Sequence, residues 1–234
     1  MMLYVNGDSH TAGAEAVNSY AFAEDESALF YLGRAPHPDN LAVTWGKTLS
    51  LALRSGFRCD AESASSNTRI MRTTREWLAG GGAGHPDQLI IIQWSTWERE
   101  EWLHNNIYYQ VGSSGIDLVA PDLQERYRNF VIETDWQLKT QQAHNEIWQF
   151  HEELKSQGIR HVFFNGNNCF DLVADRKNWG VNYIGPYNPE QTYNAVIRAA
   201  GIQTVGPTSW HFGRDGHSFF SRFLLDYIMV NKFV

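Results

Sequence analysis

Short runs of apolar residues, bounded by polar or turn residues, mark the strands of this chain. They cover residues 2–5, 57–61, 89–92, 161–164 and 202–205, and the clearest is the run at 89–92. Such continuous apolar runs are typical of strands buried on both faces, as in a parallel sheet. We therefore predict a parallel sheet of about five strands.

Apolar positions at helical spacing separate most of these runs. They cover residues 41–54, 68–78, 121–157, 192–200 and 218–229. The third segment is so long that we expect it to be bent or broken. Strands that alternate with helices predict an α/β fold with three layers, α/β/α. No repeat or linker divides the chain, so we expect residues 1–234 to form a single domain. Residues 14–40 are expected to form a loop near the mouth of a site.

Composition narrows the classes of partner. The 234 residues are 43% apolar, which is enough to bury a sizeable core. The net charge of −7 and the lack of a basic run argue against nucleic acid and anionic membranes as partners. No apolar stretch long enough for a membrane span and no signal-peptide pattern occurs. Cys59 and Cys169 are expected to be free thiols, and no zinc-ligand spacing or other cofactor signal is found.

A serine just past the first predicted strand is the leading candidate for a reactive residue. The tripeptide Gly7-Asp8-Ser9 follows the run at 2–5, and Gly7 permits a tight turn there. Ligands of open α/β sheets bind outside the carboxyl ends of the strands, so Ser9 is expected to face substrate. We expect Asp8 to fix this turn through hydrogen bonds to the backbone.

A serine nucleophile needs a base near neutral pH, and a neutral imidazole suits this role. Near the end of the chain, Asp215 and His217 can supply an orienting carboxylate and a base. Alternatively, Asp215 caps the last helix and His217 lies on the surface. His211 is a rival base, although no carboxylate immediately precedes it. His10 is a weaker rival, because neighbouring side chains on a tight turn usually point apart.

The two ends of the chain together resemble the SGNH (GDSL-type) hydrolases. Members of that family carry the nucleophile in a Gly-Asp-Ser block near the N-terminus, and an Asp and a His just before a C-terminal helix. Residues 7–9 match the first block, and residues 215–217 match the last with the spacing Asp-x-His in place of the usual Asp-x-x-His. The resemblance implies a flavodoxin-like fold and ester hydrolysis by Ser9, with His217 as base and Asp215 orienting it.

The two middle blocks of that family supply donors to the oxyanion hole. They align here with residues 61–70 and 92–96, with Ala64 where Gly is usual and Ser95 where Asn is usual. The resemblance therefore implies an oxyanion hole made of the backbone N–H groups of Ser9 and Ala64 and the Ser95 hydroxyl. A hydroxyl is a more mobile donor than an amide, so we expect a slow enzyme.

The abundant aromatic residues suggest how substrate is held. Asn67, Trp94, Trp97 and Trp210 are the candidates for substrate contact, and flat rings suit an acylated carbohydrate. The charged residues 98–101 are expected to form a solvated run.

We therefore predict an esterase that hydrolyses carboxylic esters of small molecules or carbohydrates without a metal or organic cofactor. A second hypothesis comes from another class: a weakly active or inactive binding or structural protein that keeps the hydrolase fold, for example a phage component. The lack of a signal peptide predicts a cytoplasmic location, or the virion or host cytoplasm for a phage protein. A fluorophosphonate probe separates the two hypotheses, because it labels only an activated serine. The acyl group, the alcohol and the oligomeric state stay open.

Overall fold

The computed structural model describes residues 1–23, 33–82, 87–112 and 119–234. Residues 24–32 of the loop predicted at 14–40 lie outside the described residues, and the structure describes the two parts of the loop on either side of them. Its two arms are joined by the buried Asn40, whose side-chain oxygen accepts hydrogen bonds from the N–H groups of Val17 and Asn18.

Five parallel strands form the central sheet in the order β2-β1-β3-β6-β7. They are β1 (Met2–Asn6), β2 (Gly56–Cys59), β3 (Gln88–Trp94), β6 (His161–Asn165) and β7 (Tyr183–Ile184). This order is that of flavodoxin-like sheets, in which the order of the strands along the sheet reverses between β1 and β3. All seven residues of β3 are buried, as its position at the centre of the sheet requires. The expected sheet of five parallel strands is confirmed.

Helices cover both faces of the sheet. The helices are α1 (Ser9–Ala12), α2 (Pro38–Leu41), α3 (Trp45–Ala52), α4 (Asn67–Ala79), α5 (Gln124–Glu133), α6 (Trp136–Ser156), α7 (Tyr193–Ala199) and α8 (Arg214–Val230). Helices α4 and α6 pack on one face through residues such as Ile70 and Phe150. Helices α3, α7 and α8 pack on the other face through residues such as Leu49 and Leu224. The predicted α/β/α sandwich is therefore confirmed.

One expectation about secondary structure needs correction. Residues 202–205 are not a strand of the sheet; only Thr204 forms an isolated bridge, with Phe212. The fifth strand is the two-residue β7, which is too short to give a sequence signal of its own. The long segment at 121–157 is broken as expected, because Asp135 caps α6 and accepts hydrogen bonds from Gln137 N and Leu138 N.

An antiparallel hairpin follows β3 and lies outside the central sheet. Its strands are β4 (Glu100–His104) and β5 (Ile107–Val111), and the turn residues Asn105 and Asn106 both have positive φ. This pair of left-handed residues is the backbone of a tight two-residue turn, which Asn tolerates. The sequence pattern predicted no structure for this segment.

Within the described residues, no helix is long and apolar enough to cross a membrane.

Candidate active site

Ser9 lies at the carboxyl edge of the sheet, as predicted. It is the first residue of α1, directly after β1, and Asp8 caps that helix by accepting a hydrogen bond from His10 N at 3.0 Å. The predicted role of Asp8 in fixing the turn is thus confirmed. Gly7 is needed for a reason that the sequence did not show: a Cβ atom there would lie 2.5 Å from Thr11 Oγ1. The turn is therefore held tightly against α1 and the side chain of Gln93.

His211, and not His217, is the histidine beside Ser9. Its Nε2 lies 2.8 Å from Ser9 Oγ, and its Nδ1 lies 2.7 Å from Glu15 Oε2. These distances are those of a nucleophile, a base and an orienting carboxylate in hydrogen-bond contact. The His211 side chain is about one quarter exposed, so its ring is open to solvent. The assignment of the base to His217 is wrong.

Glu15 is a functional candidate that the sequence analysis did not consider. It follows α1 by three residues and has a φ of 62°, in the left-handed region that non-glycine residues rarely adopt. Such backbone strain persists only where the surroundings hold it, and it concentrates at functional sites. The Ser209 hydroxyl donates to Glu15 Oε2 and also accepts a hydrogen bond from His211 N at 3.0 Å. Ser209 thus holds the acid and the base in one arrangement.

Electrostatics support an ionised carboxylate in this position. The hydrogen bond from Ser209 is the main cause that lowers the pKa of Glu15, and the contact with His211 lowers it further. An ionised carboxylate only accepts hydrogen bonds, so His211 Nδ1 must carry the proton. The lone pair of Nε2 then faces the Ser9 hydroxyl, which is the tautomer that a general base requires.

His217 and Asp215 have other places in the structure. His217 is buried, and its Nδ1 accepts a hydrogen bond from Trp45 N at 3.3 Å and lies 3.4 Å from the Tyr193 hydroxyl. Burial lowers the pKa of His217 to about 3, so the ring is neutral and structural. Asp215 is exposed in the first turn of α8, but the N-cap is Gly213 and no side chain caps this helix, so the alternative that Asp215 is the cap and His217 lies on the surface is also wrong. Helix α8 begins at Arg214, four residues earlier than predicted, and this turns His217 toward the core.

His10 is also not the base. Its ring is buried, with its centre 5.3 Å from that of His211, and burial is the main cause that lowers its pKa to about 4. A neutral, enclosed imidazole supports the neighbouring ring but does not reach the Ser9 hydroxyl in this arrangement.

The structure places the two expected oxyanion donors of the middle blocks, Ala64 and Ser95, in different surroundings. Ala64 has a φ of 65°, a conformation that glycine adopts most easily, and it lies on a loop tied to the nucleophile turn by the hydrogen bond from Glu62 N to Gly7 O. Ser95 is buried, and its hydroxyl donates to Asp8 Oδ2 at 3.0 Å. The single proton of that hydroxyl is therefore committed to a carboxylate. The expectation that Ser95 donates to an oxyanion is corrected.

The four candidates for substrate contact separate into two groups. Trp94 is 1% exposed and packs edge-to-face on Phe163, and Trp97 stacks on Phe170, so both rings belong to the core. The buried Asn67 makes two hydrogen bonds with the backbone of Ser95. The assignment of Trp94 to substrate contact is corrected, whereas Asn67 and Trp97 line a cleft of about 260 Å³ and stay candidates. Trp210 is 67% exposed and precedes the base directly, so it stays a candidate.

Metal chemistry has no evident donor set here. Among the residues that the structure describes, no group of three or more His, Cys, Asp or Glu side chains is arranged to hold a metal ion.

Comparison with known proteins gives similarity of backbone alone. No protein-family model and no curated protein sequence matches the chain. An acetyl xylan esterase from the rumen bacterium Butyrivibrio proteoclasticus matches with 14% identity and a TM-score of 0.48 over 98% of this chain and 64% of that chain. A carbohydrate esterase family 2 enzyme from Corynascus thermopiles (Myceliophthora fergusii) matches with 13% identity and a TM-score of 0.44 over 98% and 65%.

A protein of the G-D-S-L lipolytic family from Desulfitobacterium hafniense matches over 97% of this chain and 98% of its own, with 11% identity and a TM-score of 0.37. The chain thus spans less than two thirds of the two carbohydrate esterases. Because these similarities are weak, the function proposed below rests on the side chains around Ser9.

Proposed function

We propose that this chain is a serine esterase in which Ser9, His211 and Glu15 form the catalytic triad. The observation that carries this proposal is the pair of contacts made by one imidazole. His211 Nε2 lies 2.8 Å from Ser9 Oγ, and His211 Nδ1 lies 2.7 Å from Glu15 Oε2. This connection of nucleophile, base and acid is recognised by geometry and not by position in the sequence.

The reaction follows from the tautomer deduced above. Ser9 Oγ attacks the acyl carbonyl while its proton passes to His211 Nε2, which gives a tetrahedral intermediate. His211 then protonates the leaving alcohol, and the acyl group stays on Ser9. A water molecule loses a proton to His211 and attacks this acyl-enzyme, which releases the carboxylic acid and restores Ser9. Glu15 stabilises the imidazolium in both halves of the reaction.

The oxyanion is proposed to bind the backbone N–H groups of Ser9 and Ala64. Among the described residues, neither group donates a hydrogen bond to another part of the chain. Both lie on loops that meet at the nucleophile turn, since Glu62 N donates to Gly7 O. Loss of one oxyanion donor costs about 10²–10³ in rate in a well-studied serine protease. Because the Ser95 hydroxyl is turned to Asp8, we expect slow turnover.

The residues favour the SGNH (GDSL-type) class of esterase, with a departure in its last block. Ser9 lies where that class has its nucleophile, but the base is His211 and the acid comes from the segment after the nucleophile. We propose an acylated carbohydrate as the substrate class. An exposed indole directly before the base, that of Trp210, offers a flat apolar face for a sugar ring.

A fluorophosphonate probe and p-nitrophenyl acetate test the proposal together. We expect the probe to add one label, on the peptide that contains Ser9, and Ser9→Ala to lose both labelling and hydrolysis. His211→Ala should lose both as well. His217→Gln is the matched control, because a glutamine oxygen can replace Nδ1 as acceptor for Trp45 N. Labelling of wild type that persists in Ser9→Ala would refute the proposed nucleophile.

One observation favours the second hypothesis, a binding or structural protein with little or no activity. The Ser95 side chain, at the carboxyl end of β3, donates to Asp8 and accepts from Arg99, so it presents no free donor to a bound oxyanion. In that case the wild-type protein would not be labelled by the probe, although it would still bind carbohydrate in a direct titration.

A further inference from the structure

Arg99 lies beside the nucleophile turn and not in a solvated charge run. Its Nη1 donates to Asp8 Oδ2 at 3.0 Å and to Ser95 Oγ at 2.9 Å. The Asp8 side chain is 1% exposed, whereas that of Arg99 is 26% exposed. Arg99 thus reaches from a cleft of about 260 Å³, which it lines with Trp97 and Trp102, to a buried carboxylate. The expectation that Arg99 is simply solvated is corrected.

The Asp8 carboxylate is charged and directly precedes Ser9. Burial alone would raise the pKa of Asp8, but the positive charge of Arg99 and the hydrogen bonds from His10 N and Ser95 outweigh it and lower the pKa. An ionised carboxylate at this place carries the same sign as the oxyanion that forms when Ser9 attacks. Uncompensated, this charge would oppose the transition state across a short distance of low dielectric.

We propose that Arg99 is a positioning residue for Ser9, which neutralises the Asp8 carboxylate and, through Asp8 and Ser95, fixes the nucleophile turn. This inference rests on the proposed esterase function. Asp8 connects Arg99 to the turn through both oxygens: Oδ2 accepts from Arg99 and Ser95, and Oδ1 accepts from His10 N. Asp8 N also donates to Gln93 Oε1 at 3.2 Å. The local charge of the turn, and part of its geometry, therefore depend on the ion pair between Asp8 and Arg99.

His10 reports the local charge without any need for turnover. His10 is the next residue after Ser9 in the chain. Four charged or titratable side chains lie around its ring, those of Asp8, Arg99, His211 and His217. The polar side chains of Asn167 and Tyr193 lie there as well. Burial lowers the pKa of His10 to about 4, the Asp8 charge raises it, and the charges of His211 and Arg99 lower it. Removal of Asp8 or Arg99 must therefore move the His10 pKa in opposite directions.

The test compares Arg99→Met, Asp8→Asn, the double variant and Arg99→Lys with the wild type. Ring NMR signals of His10 are followed from about pH 2.5 to about pH 8, a range that extends on both sides of a pKa of about 4. We expect Arg99→Met to raise the His10 pKa by roughly one unit or more, since removal of a nearby positive charge relieves the repulsion of the protonated ring. Asp8→Asn should lower it, and the double variant should return near the wild-type value.

Kinetics provide the second measurement. We expect Arg99→Met to lower kcat roughly tenfold or more with KM changed by less than about twofold, because the repelled species forms only in the transition state. The double variant should recover most of that loss, since an uncharged amide replaces the uncompensated carboxylate. Arg99→Lys, which keeps the charge, should retain most of the activity even if Arg99→Met folds poorly.

The inference is overturned if the His10 titration is the same in all variants, or if the double variant is no more active than Arg99→Met. A merely structural Arg99 would give that second result, with parallel losses of thermal stability. Failure of the proposed function is recognised separately. A wild-type protein without probe labelling would refute the esterase, while the opposite shifts of His10 would still establish charge compensation beside Ser9.

Discussion

The role of Glu15 gives the sharpest test of the proposed triad, because no motif or spacing in the sequence points to this residue. Glu15→Gln keeps the size of the side chain and an oxygen that can accept from His211 Nδ1. The tautomer of His211 and the hydrogen bond to Ser209 can thus both survive. What is lost is the negative charge that stabilises the imidazolium during the reaction.

The structure sets the magnitude. A nitrogen–oxygen distance of 2.7 Å places the two charge centres about 4 Å apart, where the attraction is about 1 kcal/mol in water and about 4 kcal/mol at an effective dielectric of 20. The side chain of Glu15 is 38% exposed and that of His211 is 23% exposed, so this pair lies between the two limits. About 2 kcal/mol is a reasonable value, which corresponds to a loss of roughly 30-fold in kcat.

The assay is steady-state hydrolysis of p-nitrophenyl acetate at neutral pH, with folding checked by circular dichroism. Glu153→Gln is the matched control, because it removes the same charge from a surface ion pair, between Glu153 on α6 and Arg75 on α4. The lowered pKa of Glu15 keeps this carboxylate ionised above its usual value of 4.5, so its contribution to kcat should fade only as the pH falls below that value. A kcat of Glu15→Gln within twofold of wild type would show that the carboxylate is a spectator.

The structure also predicts the outcome of further substitutions, in the active site and in two ion pairs. His211→Ala should lower kcat by about 10³ or more, whereas His217→Gln should keep activity within a few-fold if circular dichroism shows that it folds; the reverse order would restore His217 as base. Arg69→Met removes the ion pair at 2.7 Å to the fully buried Glu62 and should lower the free energy of unfolding by roughly 3 kcal/mol. Arg75→Met breaks an exposed pair and should cost less than about 1 kcal/mol in the same urea titration. Equal losses would mean that burial does not decide the cost.

The sequence by itself determined the layers of this protein. Strands β1, β3 and β6 each carry a continuous apolar run, and helices such as α4 carry apolar positions at helical spacing. These patterns are local, because the buried positions of a strand or a helix follow from the geometry of that element alone. The position of Ser9 followed as well, since it depends only on the end of β1 and the turn after it.

Tertiary structure alone decided which side chains meet Ser9. Glu15 and His211 are 196 positions apart, and both lie in loops whose course no periodic pattern describes. The start of α8 at Arg214 turned His217 inward, and packing between β3 and α6 drew Trp94 into the core. Such contacts depend on how loops close over a finished sheet, which no local sequence pattern specifies. Residue type and spacing name the candidates for a base, but only the folded chain brings one of them within hydrogen-bond reach.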